Sequence, residues 1–262
     1  LPALRLAFAL PPRLASPPPF PLVPPGFPAP LARFARATYR RLPGDRACDF
    51  LLGDFVIRRT GRDEPFPLDG RQVLKRVLKR AEKLGVMPMC GLEFEWFNFI
   101  ETPQTWADKQ GGGRSALPPG VFCYSLLRAN HSRENFKALS EEMAAVGVPV
   151  EALHTETGPG VFEAAIVFSE ALEAADRGLL FKAGAKEIAA RFGIMPSFMA
   201  KWSQQYPGCS GHCHQSLSDG RKNLFHDARG RNGMSKLFES YLAGQLATLL
   251  EFGPMIWPTI NS

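Results

Sequence analysis

Acidic residues are missing from the first 44 positions, which hold six arginines and so account for the chain's whole net charge of +6. Residues 45–262 carry 25 basic and 25 acidic side chains, which cancel. The charge of the main body therefore gives no support to a nucleic-acid partner. Eleven prolines fall within the first 30 residues, and proline removes backbone donors. We expect residues 1–46 to form a proline- and arginine-rich disordered arm, with organelle targeting as an alternative role.

Long apolar runs and a cysteine framework are missing too. No stretch approaches the roughly 18 apolar residues that a membrane-spanning helix needs, so we expect no membrane partner. The five cysteines are odd in number and irregularly spaced. This spacing argues against a disulfide framework and favours a reducing compartment, which makes a cytoplasmic location the expectation.

Strand-like and helical segments follow the arm in mixed order. Hydrophobic spacing predicts strands over 48–58, 86–90, 92–100, 148–156, 161–168, 195–201 and 212–217. It predicts helices over 70–84, 132–146, 169–192 and 235–252, and a long polar loop over 101–118. This order predicts an α+β fold with a largely antiparallel sheet and flanking helices. The first helix has a basic face, which is more typical of a solvated surface than of a nucleic-acid stripe.

Two carboxylates share one face of a strand at Glu93 and Glu95, because residues two apart in a strand point the same way. Their neighbours are apolar, and adjacent like charges repel in such a setting. A metal ion would relieve the repulsion. A pair of carboxylates on an exposed sheet surface is the alternative.

A second carboxylate pair flanks a predicted hairpin turn at 157–160. The turn can bring Glu156 and Glu163 onto one face, whereas strand parity alone puts Glu151 on the other face. The turn glycines Gly158 and Gly160 either allow close approach to a ligand or serve only the turn.

Two histidines, His212 and His214, share one face of a later strand, with Cys209 and Cys213 nearby. The spacing matches no standard zinc finger. Carboxylates with one imidazole favour Mg²⁺ or Mn²⁺ over zinc.

These segments, in this order, resemble the glutamine synthetase family. The family has a glutamate-x-glutamate strand, a glutamate hairpin with a glycine-rich turn, a glycine-histidine-x-histidine strand and a proline-threonine-x-asparagine-serine segment. Here they lie at 93–95, 156–163, 211–217 and 258–262. The turn at 157–160 and the segment at 96–99 are similar to the type I-like branch that contains γ-glutamyl-amine and polyamine ligases and lengsin.

The resemblance implies a fragment, incomplete at both ends. Residues 47–67 would be a remnant of the N-terminal β-grasp domain, and residues 68–262 the N-terminal part of the catalytic domain. No catalytic residue is assigned within this fragment. The implied binding residues are Glu95, Glu156 and Glu163 for one metal, Glu93 and His212 for a second, Glu151, His214 and Ser216 for ATP, and Gly208 and Gly211 for glutamate.

The family's chemistry implies that ATP phosphorylates the γ-carboxylate of glutamate, and that ammonia or a small amine then displaces phosphate. Two or more Mg²⁺ or Mn²⁺ ions per site would assist. The full-length protein would form a ring-shaped homo-oligomer, commonly a dodecamer, whereas the fragment itself is expected to be inactive. A non-catalytic, lengsin-like assembly protein is the alternative. The sequence does not distinguish the acceptor amine.

Overall fold

The computed structural model describes residues 31–41, 49–110, 112–257 and 259. The chain forms two units, one of which ends at Arg80 while the other contains the chain from Ala81 onward.

The first unit is a small antiparallel arrangement. Its strands are β1 (Leu31–Phe34), β2 (Arg40–Arg41), β3 (Asp49–Phe50), β4 (Gly53–Arg59) and β5 (Arg62–Pro65). Strand β4 lies between β1 and β5, and β2 pairs with β3. Helix α1 (Gly70–Lys83) starts in this unit. Arg71 Nη1 donates to Asp54 Oδ1 at 2.6 Å, which ties the start of the helix to β4.

The prediction of a disordered arm up to residue 46 is wrong for residues 31–41. Leu31 to Phe34 pair in register with Val56 to Gly53, so this stretch gains a ladder of backbone hydrogen bonds. The ladder begins directly after the proline-rich stretch and lies at a sheet edge. Residues 1–30 and 42–48, including Cys48, lie outside the described residues. The predicted strand over 48–58 is divided into β3 and β4.

The second unit contains the longest strand, β6 (Met87–Phe99). The elements that follow are α2 (Pro103–Asp108), α3 (Leu126–His131), α4 (Arg133–Ala145), β7 (Val150–Thr155), β8 (Val161–Ile166), β9 (Ser169–Glu170), α5 (Ala171–Ala190), β10 (Met195–Ser197), β11 (Gly211–Ser218) and α6 (Lys236–Ile256). Among the described residues, none of the helices is long and apolar enough to cross a bilayer.

Strand β6 is the centre of the sheet because partners pair along both of its edges, all antiparallel. Strands β11 and β10 pair with one edge, and β8 and β9 pair with the other. Strand β7 pairs with the far side of β8. The α+β fold with a largely antiparallel sheet is confirmed.

One face of this sheet is an aromatic core covered by α5. Phe181 of α5 is fully buried. Its ring centroid lies 5.6 Å from the rings of both Phe94 and Trp96 on β6. On the neighbouring strand, Phe162 lies 6.0 Å from Trp96. Alternation along β6 therefore directs Phe94 and Trp96 into the core and leaves the intervening residues on the opposite face.

The sequence predicted most elements but not all of their extents. The segments 86–90 and 92–100 form one continuous strand, because Gly91 pairs with His214 without a break. The predicted loop 101–118 contains α2, and α3 was not predicted. The strand expected over 195–201 has only three residues.

Replacing Phe181 by alanine should lower the free energy of unfolding by about 3–5 kcal/mol, because a fully packed aromatic side chain is lost. Urea denaturation would measure this. Phe192→Ala is the matched control, since Phe192 is 41% exposed, and its effect should be about 1 kcal/mol or less. Equal losses for the two variants would contradict the described core.

Candidate metal and nucleotide site

The face of the sheet opposite the aromatic core collects acids and histidines from four strands. Glu93 and Glu95 lie on this face of β6. Glu163 of β8 pairs with Glu95, and His212 of β11 pairs with Glu93. His154 of β7 pairs with Glu163. The antiparallel register thus aligns these side chains across the sheet.

A first group consists of Glu93, Glu163 and His212, whose potential ligand atoms all lie within 4.8 Å of one another. His212 Nδ1 is 3.6 Å from Glu93 Oε2. His214 Nε2 lies closer to that same oxygen, at 2.8 Å. Glu93 therefore lies between two imidazoles of one strand.

A second group consists of His154, Glu156 and Glu163, again with one potential ligand atom each within 4.8 Å. His154 Nε2 is 3.5 Å from Glu163 Oε2, and its Nδ1 is 3.8 Å from Glu156 Oε2. Thr157 donates its backbone N–H and its hydroxyl to Glu156 Oε1, each at 2.8 Å. Among the described residues, no donor meets hydrogen-bond geometry with the buried Glu156 Oε2. Against the effect of burial, the Thr157 hydrogen bonds, and then the Tyr124 hydroxyl close to the carboxylate, lower the pKa of Glu156. A cation could therefore bind Glu156 Oε2.

Glu163 belongs to both groups and is only 6% exposed. Burial, followed by the hydrogen bond and repulsion from Glu93 and by repulsion from Glu95 and Glu156, raises the pKa of Glu163 to about 8. A hydrogen bond from Glu163 and another from His214 hold the pKa of Glu93 below its usual value. Without a cation, the two carboxyl groups therefore share one proton near neutral pH.

A pocket of about 670 Å³ adjoins the first group. His214 and Ser216 line it from β11, and Phe168, Arg221 and Lys222 add an aromatic ring and two cations. His214 contacts both the pocket and Glu93, so it connects the pocket to the carboxylates.

The remaining predicted residues belong to neither acid–histidine group. Glu151 is the extra residue of a β-bulge, because Val150 pairs with Ile166 while Ala152 pairs with Ala165. Strand alternation alone placed Glu151 on the face opposite Glu156. The bulge interrupts that alternation, so the alternation no longer determines which face Glu151 occupies. Glu151 is not among the described residues that line the pocket.

Two of the four glycines proposed for turns or ligand contacts leave no room for a side chain. A Cβ on Gly208 would lie 2.6 Å from the carbonyl oxygen of Ala200, and one on Gly160 would lie 2.5 Å from that of Asn98. Close backbone packing thus requires glycine at both positions. Gly211 begins β11 opposite Phe94. The segment 258–262 lies outside the described residues except for Thr259.

His154 is a site residue that the sequence patterns did not predict. Its spacing of two from Glu156 was a usable signal, because both then lie on the same face of β7 and its extension. A lone histidine in a strand is common, however, and only the register with Glu163 distinguishes this one.

Comparison with known proteins identifies the type of domain. Residues 67–262 match the family described as "Glutamine synthetase, catalytic domain". The chain is 46% identical over 240 residues to type-1 glutamine synthetase 2 of Dictyostelium discoideum, covering 90% of this chain and 45% of that protein. It is 33% identical over 200 residues to glutamate–isopropylamine ligase of a Pseudomonas species, covering 76% and 44%.

Solved structures agree with this match. The structure of a GmaS/ADP complex superimposes with a TM-score of 0.77 at 26% identity, covering 88% of this chain and 52% of that one. The fold and the matched region define a catalytic domain of the glutamine synthetase type. The chain belongs to the glutamine synthetase family. It spans about half the length of the curated relatives it matches.

Divalent cations fit the residues present, because the ligand oxygens are charged, clustered and incompletely hydrogen-bonded. Bound cations would displace the proton shared by Glu93 and Glu163. We therefore predict that Mn²⁺ affinity rises with pH up to about 8 and levels off above it, because only the ionised carboxylate binds.

Calorimetric titration with Mn²⁺ in buffers of different ionisation enthalpy would measure the released protons. We expect about one proton per protein near neutral pH. Glu163→Gln should lose both this proton and most of the affinity. Binding with the same affinity from pH 6 to pH 9 would contradict the prediction.

Proposed function

We propose that the protein containing this chain is an ATP-dependent ligase that joins ammonia or a small amine to the γ-carboxylate of glutamate through γ-glutamyl phosphate. The supporting observation is the pair of acid–histidine groups that share Glu163 beside a pocket with basic residues. Family membership and the names of the relatives support the reaction class.

Electrostatics explains why this face suits phosphoryl transfer. Four clustered carboxylates would repel the phosphates of ATP. Nucleotide binding therefore requires cations between the carboxylates and the phosphates. Bound Mg²⁺ or Mn²⁺ would neutralise the phosphates and align the attacking and leaving oxygens. We propose Glu93, Glu163 and His212 as holders of one cation, and Glu95, Glu156 and Glu163, now with His154, as holders of the other.

The pocket has the complementary groups for a nucleotide. Phe168 lines the pocket, and 63% of its surface is exposed. Its ring offers a surface on which a base could stack. Arg221 and Lys222 supply positive charge, and Ser216 and His214 supply hydrogen-bonding groups. Of these two, His214 also contacts Glu93. We propose this pocket as the ATP site. The earlier proposal for Glu151 receives no support from the pocket lining.

Glutamate binding at the turn bounded by Gly208 and Gly211, and assembly into a ring-shaped homo-oligomer, stay proposals that follow from the family. The acceptor is ammonia or a small amine, since the relatives are named as both glutamine synthetases and amine ligases.

Phosphate release by the full-length protein should require glutamate together with ammonia or an amine. Glu156→Ala should reduce it by at least about a hundredfold, because an oxygen in the proposed cation site is lost. Glu141→Ala, on the exposed side of α4, is the control and should keep wild-type activity.

Full activity in Glu156→Ala would contradict the proposed function. Binding of metal and ATP without glutamate-dependent turnover by the wild type would also contradict it, and would favour the non-catalytic, lengsin-like alternative.

A further inference from the structure

Ser210 lies directly across from Glu95 and immediately before the first residue of β11. Gly211 pairs with Phe94 and His212 with Glu93, so the same register places Ser210 opposite Glu95. Residues opposite each other in an antiparallel pair project from the same face. The Ser210 side chain therefore stands on the carboxylate face of the sheet.

Two hydrogen bonds join this pair. The Glu95 N–H donates to the Ser210 carbonyl oxygen at 3.2 Å. The Ser210 hydroxyl donates to Glu95 Oε1. The backbone bond fixes the distance between the two residues, and the side-chain bond fixes the orientation of the carboxylate.

Glu95 needs a hydrogen-bond donor beside it because its other neighbour across the sheet is a carboxylate. On its other side, Glu163 of β8 is the residue directly opposite, and like charges opposite each other in a sheet repel. Repulsion alone would let the Glu95 carboxylate rotate away from Glu163. The hydroxyl of Ser210 offers a fixed donor to one oxygen and leaves the other oxygen for a cation.

The turn that carries Ser210 is anchored on both sides. The Cys209 N–H donates to the Ala200 carbonyl oxygen at 2.7 Å, which closes the turn. Trp202 packs edge-on against the rings of Phe97 and Phe99, with centroids 6.1 and 5.1 Å away. Cys209 packs against the same buried cluster. Ser210 therefore has little freedom to follow Glu95 if that side chain moves.

We propose that Ser210 is a positioning residue that holds the Glu95 carboxylate in the orientation needed to bind a cation next to Glu163. This inference rests on the proposed two-cation site. It adds a residue that touches no substrate in the proposal and acts only through Glu95. Partners that hydrogen-bond a metal ligand typically change metal affinity 10–100-fold when they are removed.

The test is a calorimetric titration of the full-length protein with Mn²⁺ in the absence of nucleotide. Ser210→Ala should weaken one of two binding steps by about tenfold or more, with the other step much less affected. Ser210→Thr keeps the hydroxyl and suits an extended backbone, so it should restore the affinity to within about threefold of wild type.

Ser203→Ala is the matched control, because Ser203 lies in the same turn and its hydroxyl accepts a hydrogen bond from the Gln205 N–H at 3.1 Å. It should bind Mn²⁺ as the wild type does. Unchanged affinity in Ser210→Ala, an equal loss in Ser210→Thr, or an equal loss in Ser203→Ala would overturn the proposal.

Two outcomes distinguish a wrong cation site from a wrong role for Ser210. If wild-type protein binds no Mn²⁺, the proposed cation site is wrong, and the role of Ser210 is wrong with it. If wild type binds two Mn²⁺ ions and Ser210→Ala binds them equally well, the cation site stands and only the positioning role is overturned.

Discussion

A buried carboxylate surrounded by other carboxylates is the constraint on which this structure depends. Glu163 is 6% exposed and lies next to Glu93, Glu95 and Glu156. Such a group can stay charged only if a cation compensates it, and otherwise it must keep a proton. The raised pKa of Glu163 means that, in the absence of cations, this carboxyl group keeps its proton near neutral pH. The histidines on both sides of the cluster would supply further ligands to the proposed cations.

The sheet makes this crowding possible because its other face is rigid. Along β6, side chains alternate between the carboxylate face and the aromatic core under α5, so Glu93 and Glu95 are fixed by the packing of Phe94 and Trp96. The stability of the core therefore offsets the cost of placing like charges together. An isolated hairpin could not hold the same carboxylates at these distances.

Local patterns in the sequence were sufficient to predict much of this arrangement of carboxylates. Strand alternation placed Glu93 and Glu95 together, and the glycine-containing turn brought Glu156 and Glu163 onto one hairpin. The sequence could not show which residue would lie opposite Glu163, because register between distant strands depends on the whole sheet. His154 was missed for this reason.

Other differences also have physical causes. The bulge at Glu151 inserts one residue into β7, and no local signal in the sequence marks it. The helices α2 and α3 have six residues each, too few for a hydrophobic period to be recognised. Strand β1 follows a proline-rich stretch, and its order comes from pairing with β4 rather than from its own composition.

We propose that two cations share Glu163 on this face of the sheet. Anomalous diffraction at the manganese edge, from crystals of the full-length protein grown with Mn²⁺, tests it most directly. We expect two peaks, one on each side of Glu163, each within about 2.5 Å of carboxylate oxygens. One should lie next to Glu93 and His212 and the other next to Glu156. A single peak that does not contact Glu163, or no peak on this face, would contradict it.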